Sequence, residues 1–277
     1  MARSSCALRA AVLGALIACA AAVHARERAD CTPIAGSAAL LAAGRTVLVG
    51  EMHGTRELPA ALYRMVCSAL RRGVPVAVGL EVNDEDGALS RFMDAGDEPA
   101  ASQHYLATRF WMQGRDGRAS SAMFDTIAAL KALRRQGLPL SVFALYDSRM
   151  LSDRKMAERL RRERLARPDS LIVTLTGNVH NMLETPAGMP LTMGTLVADL
   201  KPLAVNLVYS GGSAWWCQDV VCGAKALPMP PYAPRELWTV LPARDARLYS
   251  VEVGVGTTTA SPPAAERTAE LAPGPAK

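Results

Sequence analysis

Residues 47–57 read Val-Leu-Val-Gly-Glu-Met-His-Gly-Thr-Arg-Glu, and this stretch decides the fold. Its apolar start is typical of a buried strand, and a glycine, two acids and a histidine follow directly. A second apolar run at 170–175 continues into Thr-Gly-Asn-Val-His at 176–180. Because ligands bind at the carboxyl ends of the strands in α/β proteins, His53 and His180 indicate a functional site at that edge of a sheet.

Strand and helix patterns alternate along the rest of the chain. Apolar runs predict strands at 46–50, 74–80, 140–145, 170–175 and 204–209, and weaker runs predict edge strands at 237–241 and 248–253. Helical spacing of apolar residues predicts helices at 58–70, 122–135, 152–166 and 192–200, with short helices in the polar region 84–120. This alternation predicts an α/β fold with a mostly parallel β-sheet flanked by helices.

The N-terminus has the features of an export signal. Arg3 and Arg9 form a positively charged region before an apolar core at 10–17. This core is too short to span a membrane. We favour cleavage near Ala25, which makes residues 1–25 a signal peptide. The alternative is a lipobox at 16–19, which would leave a lipid anchor on Cys19. We therefore expect a periplasmic or secreted protein, or an outer-membrane lipoprotein, without a transmembrane helix.

Residues 26–256 are enough for one α/β domain with a full core. From Thr257 to Lys277 the chain is mostly Thr, Ala, Pro and Gly without periodic apolar residues, so we predict a disordered tail at 257–277. Removing residues 1–25 takes away two arginines and no acids, which lowers the formal charge from +5 to +3. This small excess does not indicate nucleic acid as a partner.

Four cysteines follow the signal segment, and an even number in an exported protein indicates disulfides. The sequence alone allows three pairings. We prefer Cys31–Cys67, which would tie the mature N-terminus to the first helix, together with Cys217–Cys222, which would close a short loop. A metal site made of these cysteines is disfavoured because no Cys-x-x-Cys spacing is present.

Polar residues follow each of the first four predicted strands. They are Glu51, His53 and Glu57, then Glu81, Asn83 and Asp84, then Tyr146, Asp147 and Arg149, and finally Asn178 and His180. Neighbouring parallel strands lie about 5 Å apart, so these ends can converge on one crevice. Glu51 and His53 are two residues apart and on an extended segment would project from the same face, and Asn178 and His180 repeat that spacing.

These side chains are suited to two kinds of chemistry. Imidazoles and carboxylates match the ligand set of Zn²⁺, Mn²⁺ or Fe, and the same groups can serve as general base and acid without a metal. Some have ordinary alternatives: an acid such as Glu57 is favoured in the first turn of any helix, and Asn178 suits a turn. His104 is expected to have a surface or packing role.

The stretch 109–118 mixes aromatic, glycine and arginine residues. It could form a lid over the crevice, with Arg115 or Arg118 reaching an anionic group. The alternative is a surface loop with Trp111 buried beneath it.

Three motifs carry a resemblance to a known superfamily. Gly50-Glu51-x-His53, Gly79-Leu80-Glu81 and Gly177-Asn178-x-His180 resemble the ChaN-like haem-binding uptake proteins and their wider superfamily, which includes erythromycin esterases and Tiki-type metalloproteases. The similarity spans roughly 46–209. It implies a parallel α/β domain whose cleft is lined by these motifs. The esterase motif here is one residue shorter between its acid and its histidine.

The esterase branch implies a hydrolase in which His53 is the general base and Glu51 and Glu81 are its partners. This is our leading hypothesis: an exported enzyme acting on a small-molecule substrate, in which the two acids orient water or hold a divalent metal ion. In it, Asn178 and His180 bind the metal or stabilise an oxyanion.

The ChaN-like branch implies the alternative, a haem- or iron-binding protein of envelope iron uptake without catalysis. Its histidines would be ligands, and Tyr105 and Tyr146 are the plausible haem-ligating tyrosines. Glu57 and Tyr146 are further candidate metal- or ligand-binding residues in either case. A third alternative is a scaffold with only an interaction role.

Overall fold

The computed structural model describes residues 31–84, 86–146, 152–231, 234 and 236–267. The predicted signal peptide and lipobox within 1–25 lie outside the described residues, as do Asp147, Arg149 and the last part of the predicted tail, 268–277. In the part of the chain that is described, no helix is long and apolar enough to cross a membrane.

The described residues contain nine strands. They are β1 Thr46–Glu51, β2 Val76–Asn83, β3 Leu140–Tyr146, β4 Leu171–Gly177, β5 Leu203–Val208, β6 Gly212–Gln218, β7 Val221–Leu227, β8 Val240–Pro242 and β9 Val251–Gly254. Seven of them form one sheet in the order β3-β2-β4-β1-β5-β9-β8. All neighbours in this sheet are parallel except β8, which pairs antiparallel with β9 at the edge. The predicted α/β class is confirmed, and both weaker runs form strands, but only β8 lies at the edge because β9 pairs with β5 as well as with β8.

Seven helices connect these strands. They are α1 Glu57–Arg71, α2 Ala88–Asp94, α3 Pro99–Leu106, α4 Arg109–Gln113, α5 Ser121–Arg135, α6 Asp153–Ala166 and α7 Met193–Leu196. Short 3-10 turns lie at Ser37–Ala39, Asn178–Asn181, Ala198–Leu200 and Ala264–Arg267. The helix predicted at 192–200 is shorter than expected, because the backbone leaves helical geometry at Val197 (φ −102°, ψ 22°).

Successive side chains along a strand point to opposite faces of the sheet. Val47 and Val49 face a core that α1 and α5 cover, whereas Leu48 faces a second core with Met156 and Leu160 of α6. Since both faces are covered, the central strands are apolar along most of their length.

The pairing of β1, β2 and β4 determines where polar groups meet. β4 lies between the other two strands, and Glu51 at the end of β1 is in register with Gly177 at the end of β4. On its other side, Leu175 of β4 is in register with Leu80 of β2, so Glu81 is the next residue at this level. The carboxyl ends of three adjacent strands therefore bring Glu51, Glu81 and Gly177 to one edge.

Strands β6 and β7 form a separate two-stranded antiparallel hairpin that the sequence patterns do not predict. Cys217 and Cys222 lie directly opposite each other in the hairpin and are disulfide-bonded, with their Cα atoms 3.9 Å apart. Cys31 and Cys67 are bonded as well. Both predicted pairings are confirmed, and the Cys217–Cys222 bond joins the hairpin strands rather than closing an irregular loop.

The predicted start of the disordered tail at Thr257 is wrong. Residues 258–264 lie against the body of the protein, with Thr258, Ser261 and Ala264 buried. Their backbone forms bridges to Gly212, Thr55 and Ser120. Backbone and side-chain hydrogen bonds hold most of this segment, and Ala264 joins the core. A test of apolar periodicity does not detect such contacts.

Candidate functional site

Five charged side chains form a continuous chain of contacts at the carboxyl edge of the sheet. His53 Nδ1 lies 2.9 Å from Glu51 Oε1, and His53 Nε2 lies 3.5 Å from Glu81 Oε2. On the other side of Glu81, His180 Nε2 lies 3.8 Å from Oε1, and His180 Nδ1 lies 2.9 Å from Asp153 Oδ1. Each imidazole thus has an acid on Nδ1, and both Nε2 atoms face the same central carboxylate.

The acids at the ends of β1 and β2 are more deeply buried than the two imidazoles. The side chains of Glu51 and Glu81 are each 2% exposed, whereas those of His53 and His180 are 18% and 21% exposed. Gly177 helps to make this arrangement possible, because a Cβ at this residue would lie 3.0 Å from His53 Nε2. The two imidazole rings are therefore more open to solvent than the acids of β1 and β2.

Glu81 accepts from two donors besides the imidazoles. The backbone N–H of Gly177 donates to its Oε2 at 2.7 Å, and Arg118 Nη1 donates to its Oε1 at 3.2 Å. The same Arg118 nitrogen donates to the Tyr146 hydroxyl at 2.9 Å, and Arg118 Nε donates to Asp116 at 2.9 Å. Arg118 therefore connects the loop after α4 to the centre of the site.

The electrostatics of this cluster keep His53 protonated. Burial alone lowers the pKa of His53, but its hydrogen bonds to Glu51 and Glu81 and the charges of both acids outweigh burial and raise the pKa to about 10. Burial alone would raise the pKa of Glu81, but the hydrogen bond and charge of His53, with the charges of His180 and Arg118, lower it. An imidazolium beside a carboxylate is therefore the resting state near neutral pH.

The pKa values of Glu51 and His180 are also shifted. Burial raises the pKa of Glu51, and among the described residues its second oxygen, Oε2, has no hydrogen-bond partner. Burial lowers the pKa of His180, but the hydrogen bond to Asp153 and the charge of Glu81 outweigh it, so the pKa of His180 is raised. Asp153 is itself fixed, because the backbone N–H of Met193 donates to its Oδ1 at 2.6 Å.

Of the residues predicted for the site, Glu51, His53, Glu81 and His180 lie in the cluster, and Tyr146 adjoins it through Arg118. Glu57 lies elsewhere, since its carboxylate accepts from the backbone N–H of Thr259 at 2.8 Å.

Asn178 takes part in this region through its backbone. Its carbonyl accepts from the Tyr249 hydroxyl at 2.9 Å, and its Cα lies against Gly50. The same-face argument for Asn178 and His180 does not hold, because they lie in a 3-10 turn rather than on an extended segment.

Tyr105 and His104 lie away from the cluster. Tyr105 is buried in an aromatic group with Phe92, Trp111 and Phe124, so it is not available as a haem ligand. His104 is exposed on α3, as expected. Trp111 is buried under the stretch 109–118, and Arg118 of that stretch reaches Glu81.

Asp153 and Asp116 are site residues that the sequence analysis missed. Asp153 is the first residue of α6, a position where an acid is favoured in any helix, so its residue type gave no functional signal. Asp116 lies in an irregular loop and holds Arg118. The sequence analysis considered Arg118 only as a contact for an anionic ligand, whereas its partners here are Asp116, Glu81 and Tyr146.

The described residues do not fit a metal or haem site. Within the described ranges, no group of three or more His, Cys, Asp or Glu side chains is arranged to hold a metal ion. The acceptor oxygens of Glu81 are directed at Gly177, Arg118 and both imidazoles. Haem requires an apolar slot beside an axial ligand, whereas His53 and His180 have acids on both ring nitrogens.

Comparison with known proteins identifies the fold. No protein-family model and no curated protein matches the sequence. One similar solved structure is a succinoglycan biosynthesis protein, which is 8% identical, with 79% of this chain and 89% of that chain covered and a TM-score of 0.56. Another is a protein from Bacillus cereus, which is 10% identical, with coverages of 86% and 95% and a TM-score of 0.56. At such low identity the similarity shows the shared α/β fold alone.

Proposed function

We propose that this protein is an exported hydrolase that cleaves a small-molecule ester or amide by acid–base catalysis. The observation that carries the proposal is the arrangement of His53 and His180, whose Nε2 atoms face Glu81 while each Nδ1 is held by its own acid. Two imidazoles that face one carboxylate, side by side and partly open to solvent, can move protons in opposite directions during one reaction. The motif resemblance to erythromycin esterases supports the same class.

The two histidines take different roles. Asp153 holds Nδ1 of His180 and so leaves Nε2 as the ring nitrogen that can take a proton, which is the arrangement of a general base. The pKa of His53 is raised to about 10, so His53 carries a proton at neutral pH and acts as the general acid. This reverses the role that the sequence motif suggested for His53.

In one catalytic cycle, His180 takes up one proton and His53 gives one up. His180 Nε2 takes a proton from a water molecule as the water oxygen attacks the acyl carbon. The bond from that carbon to the leaving oxygen or nitrogen breaks, and the leaving atom takes the proton of His53 Nε2. Exchange with solvent returns a proton to His53 and removes one from His180. No step requires a metal ion.

Asp153→Asn tests the assignment of the base. We expect kcat to fall and the acid limb of the pH–rate profile to move to lower pH, because the hydrogen bond to Asp153 raises the pKa of His180. The alkaline limb, which follows loss of the His53 proton near pH 10, should stay in place. The measurement is hydrolysis of a panel of chromogenic esters and short peptides from pH 5 to 11.

Two results would contradict the proposal. One is an acid limb that is unchanged in Asp153→Asn, which would remove His180 from the base role. The other is purified protein that hydrolyses no ester or amide but carries a Soret band or stoichiometric metal, which would favour the haem- or iron-binding alternative.

A further inference from the structure

Two loops carry His53 and Arg118. The His53 loop, residues 52–56, follows β1, and the Arg118 loop, residues 114–120, connects α4 to α5. Neither loop belongs to the main sheet, so strand pairing does not fix the position of His53 or Arg118. Both loops instead contact the same two segments, which together we call the brace: residues 213–217 of β6 and residues 258–264 of the C-terminal segment.

Strand β6 contacts both loops through its backbone. The N–H of Trp215 donates to the carbonyl of Gly54 at 2.9 Å, and the N–H of Cys217 donates to the carbonyl of Arg115 at 2.7 Å. The carbonyl of Trp215 packs against both Gly54 and Gly117. A Cβ on Gly54 would lie 2.0 Å from its oxygen and a Cβ on Gly117 2.7 Å from it, so only glycine fits at these positions. Gly54 directly follows His53, and Gly117 directly precedes Arg118.

The C-terminal segment binds the same loops from another side. The N–H of Ser261 donates to the carbonyl of Gly54 at 2.8 Å, so this carbonyl accepts from both parts of the brace. Arg56 donates to the carbonyl of Thr259 at 3.0 Å, and Ala264 donates to the carbonyl of Ala119 at 2.9 Å.

The two parts of the brace also bind each other. Ser213 N–H donates to the carbonyl of Thr258 at 2.9 Å, and Ala260 N–H donates to the Ser213 hydroxyl at 3.0 Å. The Cys217–Cys222 disulfide covalently joins β6 to β7 at the end of the brace.

We infer that the disulfide-bonded hairpin and the C-terminal segment are positioning elements of the site, which hold His53 and Arg118 at Glu81 through the backbone of Gly54 and Gly117. The inference rests on the proposed function, because it assigns these elements to the rate of hydrolysis. Misplacement of a catalytic group by about 1 Å costs up to about a hundredfold in rate, so a small movement of the His53 loop has a large effect.

The Cys217→Ser/Cys222→Ser double variant tests the inference in the full-length protein. We expect kcat to fall about 10- to 100-fold with little change in KM, because the substrate contacts remain while the acid is misplaced. We also expect faster backbone hydrogen exchange in peptides covering 52–57 and 115–121, as well as in the hairpin itself. The matched control is Cys31→Ser/Cys67→Ser, which removes the other disulfide and should lower the melting temperature while leaving kcat and exchange in these two peptides unchanged.

A second pair of variants tests the C-terminal segment. A chain that ends at Arg267 keeps the brace and should behave as wild type, whereas a chain that ends at Gly256 should lose activity and protection in both loops. If the latter fails to fold, the cysteine variant still decides the question. Wild-type kcat and wild-type exchange in Cys217→Ser/Cys222→Ser would overturn the inference. If no substrate is hydrolysed at all, the proposed function fails, and the exchange comparison alone still tests the positioning of the loops.

Discussion

We expect replacement of His53 by glutamine to lower kcat/KM about a hundred- to ten-thousand-fold, which is the usual effect of losing a general acid or base. Glutamine can keep a hydrogen bond to Glu51, but it has no titrating proton to give to a leaving group. Because the alkaline limb of the pH–rate profile reflects the His53 pKa of about 10, that limb should disappear in the variant. The rate of hydrolysis of the best substrate from the panel, measured from pH 5 to 11, gives both quantities.

His104→Gln is the matched control for this experiment. His104 is exposed on α3 and outside the cluster, so the same substitution there should leave both rate and stability unchanged. Melting temperatures of the two variants separate catalysis from folding. A His53→Gln protein that hydrolyses at the wild-type rate and only melts earlier would make His53 a structural residue.

Replacing Glu81 by glutamine lowers the free energy of unfolding by about 3–5 kcal/mol near pH 6, as expected when one partner of a buried charge cluster is removed. Three donors, on Gly177, Arg118 and His53, face a side chain that is 2% exposed. The amide accepts through only one of its two polar atoms, and it carries no charge to balance the imidazolium and the guanidinium. Urea unfolding at fixed pH measures the difference.

The pH dependence of this difference has a defined sign. The pKa of Glu81 is lowered in the folded state, so its contribution is present above the usual pKa of 4.5 and is lost as the pH falls further. The pKa of His53 is raised from 6.5 to about 10, so its contribution is present below 6.5 and is lost as the pH rises to 10. The stability gap between wild type and Glu81→Gln should therefore be largest between pH 4.5 and 6.5 and smaller at pH 10.5.

Glu57→Gln is the charge-matched control for Glu81→Gln. The Glu57 carboxylate accepts a hydrogen bond from Thr259, and an amide oxygen can accept the same bond. The unfolding free energy of Glu57→Gln should therefore stay close to that of wild type at every pH. An equal effect of the two substitutions, or a gap for Glu81→Gln that does not depend on pH, would show that the charge of Glu81 does not hold the cluster together.

The strands, the main helices and most of the site were predictable because each depends on local pattern. An apolar run followed by Gly50 and Glu51 predicts a buried strand with an acid at its end, and the strands so predicted agree with β1 to β5. His53, Glu81 and His180 were identified in the same way, since each follows such a run by one to a few residues. The disulfide pairings were predictable from the export context and from how close each pair lies in a plausible fold.

Other site elements were not predictable because their roles depend on contacts across the fold. Asp153 is 27 residues from His180 and has the residue type that any helix start favours. The brace is formed by backbone hydrogen bonds, for which the side-chain pattern of residues 257–264 contains no signal. The protonation of His53 likewise depends on Glu81, which is brought to it by the pairing of β1 and β2 on either side of β4.

By itself, the sequence determined the alternation of strands and helices, the even cysteine count after the export signal and the presence of acids and histidines after the strands, because burial and periodicity are local properties of the chain. The tertiary structure decided which of these side chains meet, which acid lies at each ring nitrogen of the two histidines, which cysteines pair, and which distant segments hold the loops in place. The physical reason is that hydrogen bonds and charges act over a few ångströms, and only the folded chain fixes distances on that scale between residues far apart in sequence.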